Sequence, residues 1–228
     1  MNDTEPQKRA AGEAAADLVE PGMTVGLGSG STAAWFVRAL AERRPKIVCV
    51  ATSETTAALA ASLGLRILDF DLAGEIDLTV DGADEIGPGL ALIKGGGGAL
   101  LREKLVWLAS RRCVVIADAG KVTADLGAFP LPIEVTPFGH RRTAERIRVV
   151  LHNHGIIAAP TLRVAGGAPS RTDGGNLIYD VPCRVIERPV EVATALKDVT
   201  GVIDHGLFLG LAERALVAGE RGVETIWP

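Results

Sequence analysis

At 228 residues the chain can bury a substantial core, as one large domain or as a large one with a smaller companion. It is 47% hydrophobic but only 4% aromatic, so that core has to be built from Ala, Val, Leu and Ile, a composition common in α/β enzymes. A formal net charge of −4 gives no broad attraction to nucleic acid or anionic membrane, and a bound phosphate would have to be met by a local pocket. The 27 glycines cluster rather than repeat, which excludes collagen-like and low-complexity readings. Cys49 and Cys113 lie in apolar runs and Cys183 stands alone, without metal or disulfide spacing. They read as buried thiols of a reducing compartment. The N-terminal MNDTEPQKRA is polar rather than a signal peptide, and no apolar run is long enough to span a bilayer. A soluble, cytoplasmic protein is expected.

In chain order, Lys8 to Val19 predicts an Ala-rich helix, stopped by Pro21-Gly22. Met23 to Gly28 predicts a strand running into a Gly/Ser turn, with Ser31 as N-cap of the helix that follows. Ile47 to Ala51 is a second strand, then a helix from Ala57 to Leu63, a short strand at Ile67-Leu68, and a stronger one from Ile76 to Val80. After the glycine run 95–98 come a helix from Ala99 to Ser110 and a strand from Cys113 to Ala117. Continuous apolar strands alternating with helices indicate an open, mainly parallel, Rossmann-like sheet flanked by helices. The pattern changes near Phe129-Pro130-Leu131-Pro132. Beyond it a strand (Ile133 to Val135), a helix (Thr143 to Leu151), two strands around a Gly/Asp turn and a helix (Val190 to Lys197) predict a small α+β, ferredoxin-like unit. The C-terminal apolar runs return to the first domain. The expected division is 1–128 and 203–228 for the main catalytic domain and 129–202 for the small one.

Four segments carry candidate chemistry. Gly26-Leu27-Gly28-Ser29-Gly30-Ser31-Thr32 joins a strand to a helix and presents backbone N–H groups and hydroxyls, an anion site or else a tight structural turn. It is not a P-loop, since no GK[ST] closes it, and as a dinucleotide fingerprint it has Ser31 at the third glycine position. Asp81-Gly82-Ala83-Asp84-Glu85 follows a buried strand, where open α/β sheets place ligands. An acidic capping turn is the simpler reading, and carboxylates without His argue only weakly for a metal. Lys94-Gly95-Gly96-Gly97-Gly98 is the most informative stretch. Four consecutive glycines cost conformational entropy, so a run beside a lysine points to backbone drawn close to a ligand. Glu103 lies one turn into the next helix, near its positive end, where helix propensity and dipole also favour a Glu. Lys121, in the turn ADAGK, is placed to meet a phosphate or hydroxyl, or is an ordinary surface lysine. His152-Asn153-His154 reads as a polar turn, no two histidines share a metal-like context, and Ser29 is not in a nucleophile elbow.

GLGSGST, ATSETT, DGADE, KGGGGALLREK, ADAGK and FPLPIEV, in this order and spacing, together with the DGGN turn (Asp173 to Asn176) and the C-terminal GLF, resemble the ribose-5-phosphate isomerase family of type A over nearly the whole chain. Departures are Ser29, where the family usually has Thr, and Gly120, where it usually has Ser. The resemblance implies an aldose–ketose isomerase that interconverts ribose 5-phosphate and ribulose 5-phosphate through an enediolate, with no metal or redox cofactor. It implies Glu103 as the base that moves the proton between C2 and C1, with its pKa raised by partial burial. Lys94 and the N–H groups of Gly95, Gly96 and Gly97 would neutralise the oxyanion. Asp81 and Asp84, with Gly82 and Ala83 between them, would bind sugar hydroxyls and help open the ring. Ser29, Gly30, Ser31, Thr32 and Lys121 would complete the pocket, and Lys8 would reach the phosphate. The implied partners are a pentose 5-phosphate and a second copy or more, as homodimer or homotetramer, with no nucleic acid and no membrane. Rival readings are an amino-sugar phosphate deaminase, a CoA transferase sharing the sheet, and a non-catalytic sugar-phosphate sensor. The deaminase needs a His/Asp arrangement not seen here, the transferase a nucleophilic Glu with a CoA pocket, and the sensor a helix-turn-helix and no catalytic acid.

Overall fold

The computed structural model describes residues 4–228; Met1 to Asp3, the head of the polar N-terminal stretch, lie outside them. The chain forms two compact units. The first comprises the described residues up to Ala83, Arg102–Val122 and Gly210–Pro228; the second comprises Asp84–Leu101 and Thr123–Leu209.

The first unit is built on a six-stranded sheet. Its order is Gly222–Ile226, Arg214–Gly219, Cys113–Asp118, Leu78–Gly82, Thr24–Leu27, Val48–Ala51. The four pairings among the last five strands are parallel, and only the C-terminal hairpin of Arg214–Gly219 with Gly222–Ile226 is antiparallel. Of the C-terminal runs expected in the main domain, Arg214–Gly219 and Gly222–Ile226 join this sheet, whereas Leu207–Phe208 belong to the second unit, where they pair with Leu92–Ile93. Strand Cys113–Asp118 is buried at every position, as a parallel strand covered on both faces must be.

Helix Glu5–Ala16 packs on helix Ser31–Arg43 through a stripe of small residues, Ala11, Gly12, Ala15 and Ala16. A Cβ on Gly12 would lie 2.7 Å from the Phe36 nitrogen, so glycine is what lets the two backbones approach. The first helix ends at Ala16, short of the expected Val19, yet Val19 still packs in the same core with Leu27, Phe36, Leu40 and Val80.

The N-cap of the second helix is Gly30, not Ser31, which is the first helical residue. Leaving the strand for the helix requires φ +95° at the cap, a conformation that glycine adopts without steric cost and serine does not. Helix Glu54–Ser62 starts earlier than expected because the Ser53 side chain accepts from the Thr56 N–H and fixes its first turn. The expected strand at Ile67-Leu68 is a single parallel bridge, Cys49 to Ile67.

The second unit holds a four-stranded antiparallel sheet in the order Val202–His205, Leu131–Val135, Leu177–Val181, Thr161–Leu162. Helices His140–Asn153 and Pro189–Lys197 follow the first and third of these strands in sequence, which gives the βαββαβ plan of a ferredoxin-like unit. Ile133, Val135, Ile147, Leu151, Tyr179, Val192 and Leu196 form its core. Residues 129–202 fall within this unit. It also takes in Asp84–Leu101, because Glu85–Ile86 and Leu92–Ile93 pair antiparallel with one another and with Leu207–Phe208 in a separate three-stranded sheet. His152 and Asn153 are the last residues of helix His140–Asn153 and His154 is its C-cap, so this stretch continues a helix rather than forming a turn. Among the described residues no helix is long and apolar enough to cross a membrane.

Candidate active site

In the first unit the parallel register lines up the carboxyl ends of four neighbouring strands. The turns that leave them are Asp118–Lys121, Asp81–Ala83, Gly28–Thr32 and Ala51–Ser53, in that order along the edge. The chain passes from Thr24–Leu27 to Val48–Ala51 on one side, then crosses to Leu78–Gly82 on the other. The reversal of strand order therefore falls between Gly28 and Asp81, where open α/β sheets form their ligand crevice.

That junction is tight. Asp81 is fully buried, and its Oδ1 accepts from the N–H of Ser29 at 3.0 Å and of Gly82 at 2.7 Å. A Cβ on Gly28 would sit 2.2 Å from the Asp81 carboxyl carbon, so the turn is glycine at this point in order to admit the carboxylate. The Ser29 hydroxyl hydrogen-bonds with Thr52 at 2.7 Å and Ser53 at 2.8 Å, which ties the turn to the end of the next strand. Thr56 adds a bond to the Gly28 carbonyl at 3.0 Å. Lys121 closes a 3-10 turn in which the Asp118 side chain accepts from the Gly120 N–H. Lys8, on the first helix, is paired with Glu5 at 2.8 Å, one turn before it.

Glu103 lies in the first turn of helix Leu100–Leu108 and is 5% exposed. The helix runs away from the carboxyl edge: just past its end, Ser110 bridges Ile76 where the Leu78–Gly82 strand begins. Its first turn therefore points back to the edge that carries Asp81. Arg102, the neighbour of Glu103, approaches Glu54 at 3.6 Å, and Glu54 opens the helix that follows Ala51–Ser53 at that edge.

The second unit holds the other candidates. Asp84 accepts the Gly96 N–H on Oδ2 at 2.7 Å, and a Cβ on Gly96 would lie 2.6 Å from the same carboxylate. Gly95 (φ +104°) and Gly98 (φ +86°) adopt left-handed conformations that side chains resist, so the run is glycine partly for its shape. Lys94 is 2% exposed; its N–H donates to the Gly206 carbonyl and its ammonium lies over the Phe208 ring, 5.4 Å from the centroid. A Cβ on Gly206 would be 2.2 Å from the Lys94 carbonyl oxygen, which explains the glycine before GLF-type Leu207-Phe208. The third acid of DGADE has a different job. Glu85 is buried and accepts the backbone N–H groups of Gly127 and Phe129, anchoring the chain just before the FPLPIEV segment.

Three supports of the candidate site carried no signal of chemistry in the sequence. Arg163 donates from Nη1 to the carbonyls of Gly95 (2.9 Å) and Gly96 (3.0 Å). Glu134, 1% exposed, accepts from Thr172 and Asn176, each at 2.9 Å, so FPLPIEV and the DGGN turn meet. Burial pushes the Glu134 carboxyl above its ordinary range, against the hydrogen bonds from Asn176, Thr172 and the Leu101 backbone. Leu101 is the second residue of the Glu103 helix, so Glu134 satisfies one of that helix's open N–H groups. The third support is the Thr52, Ser53 and Thr56 hydroxyl cluster. Among the described residues no group of three or more His, Cys, Asp or Glu side chains has the geometry to hold a metal ion.

An open, mainly parallel sheet whose carboxyl edge gathers a Gly/Ser turn and a buried aspartate, with a buried glutamate in the first turn of a flanking helix, is the plan of an α/β enzyme. A family model described as ribose 5-phosphate isomerase A (phosphoriboisomerase A) matches residues 48–222, and one described as DeoR C terminal sensor domain matches residues 3–68. The ribose-5-phosphate isomerase A of Caulobacter sp. (strain K31) is 60% identical over 222 residues, 97% of this chain and 98% of the relative. That of Parvibaculum lavamentivorans is 48% identical over 228 residues, 98% of this chain and 99% of the relative. A crystal structure of ribose 5 phosphate isomerase A from Neisseria gonorrhoeae matches with a TM-score of 0.92 at 32% identity, over 100% of this chain and 99% of that one. A D-ribose-5-phosphate isomerase in complex with phospho-erythronic acid matches with a TM-score of 0.92 at 34% identity, over the whole of both chains. The chain belongs to the ribose 5-phosphate isomerase A family.

Proposed function

We propose that the protein interconverts D-ribose 5-phosphate and D-ribulose 5-phosphate by moving one proton between C2 and C1 through an enediolate. The observation that carries this is Glu103, buried in a helix's first turn that points to the sheet edge holding Asp81. Glu103 takes the proton from C2 of the open-chain aldose and returns it to C1. Lys94 and the N–H groups of Gly95 and Gly97 neutralise the charge that develops on oxygen, while the Gly96 N–H, expected to join them, is donated to Asp84 instead. Asp81 and Asp84 hold sugar hydroxyls and assist ring opening. The Gly28–Thr32 turn and Lys121 receive the phosphate and far hydroxyls, and Lys8 adds a positive charge to that end. Phospho-erythronic acid, present in the relative's structure, is an acid phosphate, and its carboxylate supplies a negative charge of the kind an enediolate develops.

The test is ribose 5-phosphate turnover in deuterated water. Deuterium at C1 of the ketose, entering as the protonated Glu103 carboxyl exchanges with solvent before it returns a proton, is the expected result; a complete lack of label in product and in recovered substrate after prolonged equilibration would mean a hydride shift and would remove Glu103 from its role. Preincubation with EDTA should leave the rate unchanged. The sensor reading is weaker, because the stretch matching a sensor domain stops at residue 68, before Asp81, Lys94 and Glu103.

Self-association as a homodimer or homotetramer is supported by the exposed Phe138 (93%) and Ile157 (86%), and light scattering in solution reads it directly. A cytoplasmic location is supported by three free, buried cysteines, of which burial pushes Cys49 and Cys183 up to about 12.

A further inference from the structure

Arg163 stands between the short strands Thr161–Leu162 and Val164–Ala165, with its own N–H donated to the Ile178 carbonyl. Its side chain is mostly buried, and its guanidinium is committed on both sides. Nε and Nη2 form a two-point ion pair with Asp180 of strand Leu177–Val181, Nε to Oδ2 at 2.8 Å, and Nη1 bonds both glycine-loop carbonyls. A planar fork makes these contacts at once; a lysine ammonium has no rigid geometry with which to do so.

The consequence lies in the peptide plane. In a trans peptide the C=O and the following N–H point in opposite directions. Arg163 holds the Gly95 carbonyl, and the Gly96 N–H does point the other way, onto Asp84. Arg163 also holds the Gly96 carbonyl, which turns the Gly97 N–H away from the guanidinium. Gly97 is the loop residue around which an added Cβ would meet nothing within 4 Å.

We propose that Arg163, locked by Asp180, is a positioning residue that aims the Gly97 N–H at the substrate oxyanion. Arg163 does not touch the substrate; it fixes the direction of a dipole before the charge appears, which is how a donor contributes more in the transition state than in the ground state. This rests on the reading that loop N–H groups stabilise the enediolate.

The test uses the full chain as Arg163→Met and Arg163→Lys. For Arg163→Met, kcat is expected to fall ~10–100-fold, the scale of a misaimed catalytic group, with KM for ribose 5-phosphate nearly unchanged. Binding of phospho-erythronic acid should weaken by a similar factor, and Arg163→Lys should restore part of both. A purely structural role would lower the thermal midpoint and leave the kcat of the folded fraction intact, which overturns the proposal. A raised KM with unchanged kcat overturns it too. If Arg163→Met does not fold, Asp180→Asn, which keeps the guanidinium but loosens it, should show the same losses on a smaller scale; unchanged kcat there overturns the proposal. If the unaltered protein binds phospho-erythronic acid no more tightly than ribose 5-phosphate, the oxyanion reading itself falls and takes Arg163 with it. Tight binding by the unaltered protein beside a fully active Arg163→Met sinks Arg163 alone.

Discussion

The two glycine-rich segments look alike in sequence and are glycine for different physical reasons. In Gly26–Gly30 the pressure comes from the fold: a Cβ on Gly26 would lie 1.9 Å from the Thr79 hydroxyl and one on Gly28 would lie 2.5 Å from the Asp81 Cα. In Gly95–Gly98 two positions need positive φ and one makes room for the Asp84 carboxylate, but Gly97 has open space around it and no left-handed conformation. Close packing explains Gly26 and Gly28, and the φ of +95° at the helix cap explains Gly30. Backbone shape and packing leave one residue of the second unexplained, and an unexplained glycine three residues after the buried Lys94 is where a ligand would press.

The largest effect expected on the chemical side of this contrast is at the carboxylate that follows the second segment. Glu103→Gln should lower kcat by ~10²–10⁴-fold with KM little changed, and steady-state kinetics decide it; a near-normal kcat would reduce the second segment to a structural loop. Next comes Gly28→Ala. Overpacking of this kind costs roughly 1–3 kcal/mol, so denaturant titration should show a lower midpoint, and the displaced Asp81 should lower activity as well. A third substitution separates the segments most sharply. Gly97→Ala should leave stability within about 0.5 kcal/mol while raising KM or lowering kcat, read by thermal melting beside kinetics. Equal activity would mean that nothing approaches that position.

The smallest effect concerns Glu134, which holds the DGGN turn through Thr172 and Asn176. Its carboxyl is raised in the folded state, so the folded chain holds that proton more readily than the unfolded one. Its contribution to stability is present below the ordinary value of 4.5 and is lost as pH rises through the higher folded value. Glu134→Gln keeps an acceptor for Thr172 and Asn176 without the buried charge. Melting curves across that acid range should become flatter, with the midpoint at neutral pH unchanged or higher.

Much of the fold was legible because its signals are local. Apolar strand runs, the Pro-Gly break at 21–22 and the change of pattern near Phe129 all report on a few neighbouring residues. The Gly/Ser turn was legible too, but its cap was not: Ser31 has the better capping side chain, and the backbone instead requires φ +95° at Gly30. The acids of DGADE are equivalent in sequence and different in space. Asp81 lies against the Gly28 turn, Asp84 on the glycine loop, and Glu85 under the Gly127 and Phe129 backbone. Arg163 gave no sign, since its partners are 17 and 68 residues distant and no periodicity connects them. Glu134 and Asn176 sat in recognised segments without any hint that they touch.

By itself, the sequence determined the alternation of strands and helices, the places where the chain must turn, and the family these motifs belong to, because each depends on residue type and short spacing. Only the tertiary structure decided which carboxylate is buried against which turn and which arginine grips the glycine loop. Those outcomes come from register and burial. A parallel sheet brings strand ends tens of residues apart to one edge, and desolvated charges there must find partners wherever the fold supplies them.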